Sequence, residues 1–231
     1  MLRIRPIRFT SRMDSCGHLL DTLGLAVVED HGGWKVLDCG DGRIGLHAVP
    51  AGDPRDGTMV FGVEIRDRAE FARRTLAAGT RAELVETEHG PSVRVTAPDG
   101  TGFLADPAAQ PSADRSVQPA AGRAELSLRV TWTSADPAAA ARVLADIGAK
   151  PVDGADAADT STAWFRAKNG GLAGTAAADG TSVAFGFAYD GVLEPLLADL
   201  TAGGIAARIV SGPDGAALLI PDPDTAGRSR P

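Results

Sequence analysis

The chain has 231 residues, 44% of them apolar, and a formal net charge of -7 at neutral pH. That length suits two domains of about 100 residues, each able to bury a core, and no apolar run approaches the roughly 18–20 residues of a membrane span. An acidic surface repels phosphate backbones, and no dense basic run with interleaved aromatics offsets it, which argues against nucleic acid as a partner. The opening "MLRIRPIRFTSR" is basic with no apolar signal core behind it, and Cys16 and Cys39 are too few for a disulfide framework. The expected location is a reducing cytoplasm.

In chain order, "RIRPIRFTS" predicts a strand, "DSCGHLLDTLG" a short helix closed by glycine, and "GWKVLDC" and "GRIGLHAV" two more strands joined by "GDG". "TMVFGVEIRD" restarts the rhythm with a strand. The helix "RAEFARRTLAAG" follows, then the strands "AELVETE", "SVRVTAP" and "GFLAD", the last two about a Pro-Asp-Gly turn. Residues 109–123, "AQPSADRSVQPAAGR", hold only one large apolar side chain, Val117, and read as a linker. In the second half the helices are "DPAAAARVLADIG" and "GVLEPLLADLTAG", with Pro195 in the first turns of the latter, where a missing donor costs little.

The two sides of the linker repeat one another at a spacing of 123 to 125 residues. "RFTS" matches "TWTS", "LGLAVV" falls against "IGAKPV", "FGVEIRD" against "FGFAYD", "LAAGT" against "LTAGG", and "SVRVTAPDG" against "ALLIPDPDT". A near-constant offset across five landmarks indicates duplication. The expected organisation is domain 1 over residues 1–108, the linker 109–123, and domain 2 over 124–231 with a degenerate final strand, since the tail "TAGRSRP" is a poor one. Strand, helix, then strands, performed twice in each half, makes the class α+β with helices on one face of the sheets.

With "APDGTGFLADP", "LAAGT" before a strand and "FGVEIRD" before a helix, in this order and echoed in the second half, the chain resembles the vicinal-oxygen-chelate superfamily of glyoxalase and bleomycin-resistance proteins. The resemblance implies tandem glyoxalase-like domains of paired βαβββ modules, with curved mixed sheets forming a cup. Enzymes of that family typically hold a divalent metal with two histidines and two carboxylates from four strands. The matching positions here are Pro6 or Ile7, Gly45, Phe61 and Leu104 in the first half. In the second half they are Arg129 or Val130, Gly174, Phe185 and roughly Ser229. None is a usual metal ligand, so the expectation is no metal and no cofactor.

His47, two residues after Gly45, faces the same side of its strand. A structural zinc site of four ligands is worth about 10–16 kcal/mol, so one imidazole supplies about a quarter of that and holds no metal alone. His47 remains a candidate base or polar anchor. Phe61, Leu104 and Phe185 are candidates to line an apolar pocket, and Arg129 to clamp a carboxylate or phosphate. If the first-half strands curve together as the resemblance implies, His47, Phe61 and Leu104 converge on one concave surface. Trp34, Trp132 and Trp164 read first as core.

The main functional expectation is a metal-free protein that sequesters an apolar or aromatic small molecule, in the manner of bleomycin-resistance relatives. One alternative is a superfamily enzyme, a lyase, isomerase or dioxygenase, with a non-standard site near His47. Another is a structural or interaction protein with filled cups. The protein is expected to be bacterial, from its Arg-rich, Lys-poor composition, and a monomer or homodimer, with no membrane partner.

Overall fold

The computed structural model describes residues 1–108, 125–152, 163–205, 208–212 and 215–219. The linker, Ser229 and the C-terminal tail lie outside the described residues. The first half carries β1 (Leu2–Ile4), β2 (Ile7–Thr10), α1 (Met13–Thr22), β3 (Ala26–Asp30), β4 (Trp34–Asp38), β5 (Arg43–Ala48), β6 (Met59–Val60), β7 (Gly62–Ile65), α2 (Arg68–Ala78), β8 (Arg81–Thr87), β9 (Gly90–Thr96) and β10 (Gly102–Pro107). The second half carries β11 (Leu126–Ser134), α3 (Pro137–Asp146), β12 (Lys150–Pro151), β13 (Ala163–Arg166), β14 (Leu172–Ala177), β15 (Ser182–Tyr189), α4 (Leu193–Ala202), β16 (Arg208–Gly212) and β17 (Gly215–Leu219). Among the described residues, no helix is long and apolar enough to cross a membrane.

The chain divides into two compact units, and each draws on both halves of the sequence. Unit 1 comprises Met1–Pro6, Val60–Pro111 and Arg129–Phe185; unit 2 comprises Ile7–Met59, Ser112–Leu128 and Gly186–Pro231. Two predicted strands are broken to make this division. "RIRPIRFTS" stops at Arg5–Pro6, where proline has no N–H to give a ladder, so β1 belongs to unit 1 and β2 to unit 2. "TMVFGVEIRD" is interrupted at Phe61 between β6 and β7.

In unit 1 one sheet runs β1-β7-β10-β9-β8, and β12-β13-β14-β11 lie side by side. The sheet alternates as a half-buried strand set should: Ile4, Val63, Ala105 and Val93 occupy successive ladder positions and are fully buried. Helix α2 starts where Asp67 accepts a hydrogen bond from Glu70 N and ends at Gly79 with a left-handed backbone; α3 starts on Asp136, which accepts from Ala139 N, with Pro137 in its first turn. The Pro-Asp-Gly turn joins the modules: Asp99 accepts from Thr101 N at 2.9 Å and from Ser134 Oγ at 3.0 Å. Thr80 Oγ1 donates to Asp146 at 2.6 Å.

In unit 2, β3-β4-β5-β2 form a sheet in which β2 and β5 are parallel. Its inner face carries Leu37, Ile44 and Leu46, all buried, with Cys16, Leu19 and Leu20 of α1 buried as well.

The structure also corrects the repeat register at the opening strands. Thr10 Oγ1 accepts from Arg12 N at 3.0 Å just before α1, and Ser134 Oγ accepts from Asp136 N at 3.1 Å just before α3. These equivalent hydroxyls lie 124 positions apart (134 minus 10), not the 123 that pairs "RFTS" with "TWTS". Arg8, not Phe9, therefore corresponds to Trp132, and both are buried.

Candidate functional site

The other face of the unit 2 sheet, opposite Leu37, Ile44 and Leu46, carries a rung of three rings. Parallel β2 and β5 pair Ile7 with Gly45 and Phe9 with His47, and antiparallel β4 and β5 pair Trp34 with His47. Cross-strand partners share a face, so Phe9, His47 and Trp34 stand in a row. The ring centroids lie 5.2 Å apart for Phe9–His47 and 6.0 Å apart, edge-on, for Trp34–His47. All three are half-buried. His47 Nδ1 lies 3.0 Å from Ala48 O, which suits an Nδ1–H donor and holds the ring in place. Arg55 extends the row, its guanidinium carbon 5.2 Å from the Phe9 centroid, and is itself held by Asp53 through hydrogen bonds of 3.0 and 2.9 Å. Those bonds draw the Asp53 carboxyl down to about 2.

Gly45 is the key to this face. A Cβ built there would lie 2.8 Å from Trp34 Cη2 and 3.4 Å from Ile7 Cγ1. The missing side chain is what lets the indole lie across the strand. Unit 1 repeats the device. Trp164 is the ladder partner of Gly174, and a Cβ at Gly174 would meet Trp164 Cε3 at 2.8 Å and Cδ2 at 2.9 Å. Arg129 lies over that ring, its guanidinium carbon 5.5 Å from the centroid. The ladder sets Thr131 opposite Gly174, as Ile7 is opposite Gly45, so Thr131 takes the place the sequence assigned to Arg129 or Val130. Val130 is fully buried on the other face.

The other expected site residues are divided between the units. His47 belongs to unit 2, while Phe61, Leu104, Arg129 and Phe185 belong to unit 1. Phe61 is 2% exposed, stacked on Trp132 with centroids 5.8 Å apart and edge-on to Phe103 at 4.9 Å. Leu104 pairs with Gly62 and Arg94, and strand alternation puts it on the face opposite Phe103. Phe61 and Leu104 therefore do not line one pocket: Phe61 is core. Phe185 is half-buried on β15.

On the Leu104 face sits a charged group that the sequence reading passed over. Asp106, two residues after Leu104, is the ladder partner of Glu64. Arg5 donates to Asp106 and lies 4.0 Å from Glu64, Arg3 donates to Glu64 at 3.4 Å, and Ser92 Oγ donates to Asp106. Arg5, Glu64 and Ser92 are buried. The available signal was the two-residue spacing from Leu104; the partner Arg5 had no local signal, lying 101 positions away.

The described ligand positions do not fit a metal. Ile7, Gly45, Phe61, Leu104, Thr131, Gly174 and Phe185 include no imidazole or carboxylate, and a glutamate at Gly45 or Gly174 would have to displace a tryptophan. Nor is there a thiol nucleophile: Cys16 and Cys39 are buried, and burial pushes the Cys39 thiol up to about 12.

No family model and no curated protein sequence matches the chain. Solved structures do. Homoprotocatechuate 2,3-dioxygenase from Brevibacterium fuscum, in complex with 3,4-dihydroxyphenylacetate, is similar over 96% of this chain and 76% of that one, at 18% identity and a TM-score of 0.59. The Arthrobacter globiformis enzyme of the same name matches over 92% and 76%, at 17% identity and a TM-score of 0.58. A fusion of a xylose isomerase-like TIM barrel with 4-hydroxyphenylpyruvate dioxygenase matches over 89% of this chain at 15% identity and a TM-score of 0.60, and this chain spans only 38% of its length. At such identities the likeness speaks to fold. The chain shares the α+β fold of these dioxygenase structures, the fold class that its resemblance to the vicinal-oxygen-chelate superfamily implied.

Proposed function

We propose that the protein binds a small planar aromatic molecule on this scaffold without a metal centre, using the unit 2 face formed by Phe9, Trp34 and His47. One observation carries the reading: a tryptophan lies over glycine at Gly45 and again at Gly174, where the family places a carboxylate ligand. The scaffold then offers a ring to stack on in place of an ion to coordinate. Burying about 300 Å² of ligand at about 25 cal/mol per Å² gives a gross gain of about 7 kcal/mol, from which association takes several back. Micromolar binding is the expected scale.

The test is a titration of the protein in EDTA with 3,4-dihydroxyphenylacetate and with simple phenols and indoles, followed by tryptophan fluorescence and calorimetry. Micromolar binding that Trp34→Ala weakens at least tenfold, and Trp164→Ala leaves within about twofold, supports the reading. A second reading, a ring-cleaving oxygenase, is favoured by the likeness to homoprotocatechuate 2,3-dioxygenase. It requires ligands other than those at the family positions. Oxygen uptake with a catechol that depends on added ferrous or manganous ion would establish it and overturn the first.

A further inference from the structure

The first six residues are built into unit 1 on two sides. Strand β1 pairs antiparallel with β7, setting Leu2, Arg3 and Ile4 against Ile65, Glu64 and Val63. Its other edge bonds the turn after β13: Leu2 N donates to Asn169 Oδ1 at 3.0 Å, Asn169 N to Leu2 O at 2.8 Å, and Ile4 N to Gly170 O at 3.0 Å. Two glycines give the strand room. A Cβ at Gly62 would meet Arg5 O at 2.7 Å, and one at Gly171 would meet Ile4 Cβ at 2.5 Å. Backbone positions reserved in this way on both sides mark a dedicated seat.

What this strand delivers is charge. Glu64, 2% exposed, and Asp106 are ladder partners on adjacent parallel strands. A buried carboxylate and a half-buried one this close need a cation between them. Arg5 meets both, and Arg3 and Ser92 take remaining oxygens. We propose that the N-terminal hexapeptide is a strap whose Arg5 serves as the built-in cation of the Glu64–Asp106 pair, keeping that pair closed to a divalent ion. The arginine satisfies the charge without leaving an open coordination position, so unit 1 offers neither substrate nor water a Lewis acid there. This inference concerns unit 1 alone and does not depend on aromatic binding in unit 2.

The test is Arg5→Ala in the full chain, with Arg5→Gln, which keeps bulk and one donor, as the second variant. Melting should fall by about 5–15 °C in Arg5→Ala, since one partner of a buried ion group is removed. Millimolar manganese or guanidinium should raise the variant's melting temperature by at least about 2 °C and leave the wild type unmoved. Calorimetry should then find one manganese site in Arg5→Ala or Arg5→Gln, weakened at least tenfold when Asp106→Asn is added. Manganese binding to wild type with the same stoichiometry and Asp106 dependence would overturn the proposal, as would folded variants that bind neither cation. Should both variants fail to fold, refolding in millimolar guanidinium or manganese must restore a cooperative transition, and failure to do so counts against it.

Discussion

The two units share the tryptophan-over-glycine arrangement but surround it differently. In unit 2 the neighbours along the sheet are Phe9 and His47, half-buried rings in a row with Trp34. In unit 1 they are Arg129 over the ring and Thr131 and Thr133 along the strand, with Thr133 Oγ1 and Ser182 Oγ 2.8 Å apart. Phe61, Phe103 and Trp132 of unit 1 lie elsewhere, in a sealed cluster. The same backbone thus supports an aromatic surface in one unit and a polar surface over an aromatic core in the other. One residue of register along a strand decides which face a ring occupies, and that is why the proposed ligand face is assigned to unit 2.

The largest effect should come from cutting the chain at the repeat boundary. A fragment of residues 1–108 holds part of each unit. It keeps Phe61 and Phe103 but lacks Trp132, and keeps Asp99 and Thr80 but lacks Ser134 and Asp146. It is expected to lack a cooperative thermal transition and to bind a hydrophobic dye strongly. A sharp, reversible melt of the fragment would support the halves as independent domains.

Next come the two glycines, which differ in how the ring lies on them. At Gly174 three atoms of the Trp164 ring lie within 2.9 Å of an added Cβ, whereas at Gly45 only the Trp34 tip atom is that close. The body of a ring moves less easily than its tip. Gly174→Ala should therefore destabilise by about 2–3 kcal/mol and Gly45→Ala by about 1 kcal/mol, within the range for overpacking. Denaturant midpoints for both variants measure the difference, and equal costs would show that the two indoles are equally held.

These contrasts mark how far the sequence could be read. Helices α1 to α4, the Pro-Asp-Gly turn and the duplication were legible because each leaves a local trace: a capping aspartate, a glycine after the last turn, a repeated phrase. The register of the opening strands was not, because "RFTS" and "TWTS" align at 123 while the buried face and the hydroxyl two residues before each helix cap demand 124. The break at Pro6 had a local signal, a residue with no N–H for the ladder, whereas the break at Phe61 follows from which unit each strand joins, a tertiary choice. At the site, the absence of ligands at Gly45 and Gly174 was readable, but the tryptophans that explain it come from neighbouring strands. The expectation for Leu104 treated Phe61 as its face-mate, whereas Asp106 is the residue that shares its side. Arg5 over Asp106 and Glu64 had no signal at all, since buried ion pairs between distant segments leave no periodicity to detect.

The smallest effect compares an arginine-paired carboxylate in each unit. Asp53 in unit 2 is drawn down to about 2 by the Arg55 side chain and then by Arg55 N, which donates at 2.8 Å. Glu70 in unit 1 is drawn down to about 2 by two side chains, Arg73 and then Arg74. Unperturbed values are about 3.9 and 4.3. A depressed carboxylate adds stability that is fully present above its unfolded value and is lost as pH falls through its folded value, so the window for both is from about pH 4 down to about 2. Because the arginine partners are exposed at the surface, salt screens the gain and its effect on melting should be slight. The difference appears in the titrations themselves, read by carboxyl carbon NMR. Arg55→Ala should raise the Asp53 midpoint while leaving it below the ordinary value, because the backbone donor persists. Arg73→Ala alone should raise Glu70 by less than the pair Arg73→Ala and Arg74→Ala, because one arginine can still hold the carboxylate. A single arginine substitution that returns Glu70 fully to its ordinary value would show that the two-armed clamp of α2 acts through one arm only.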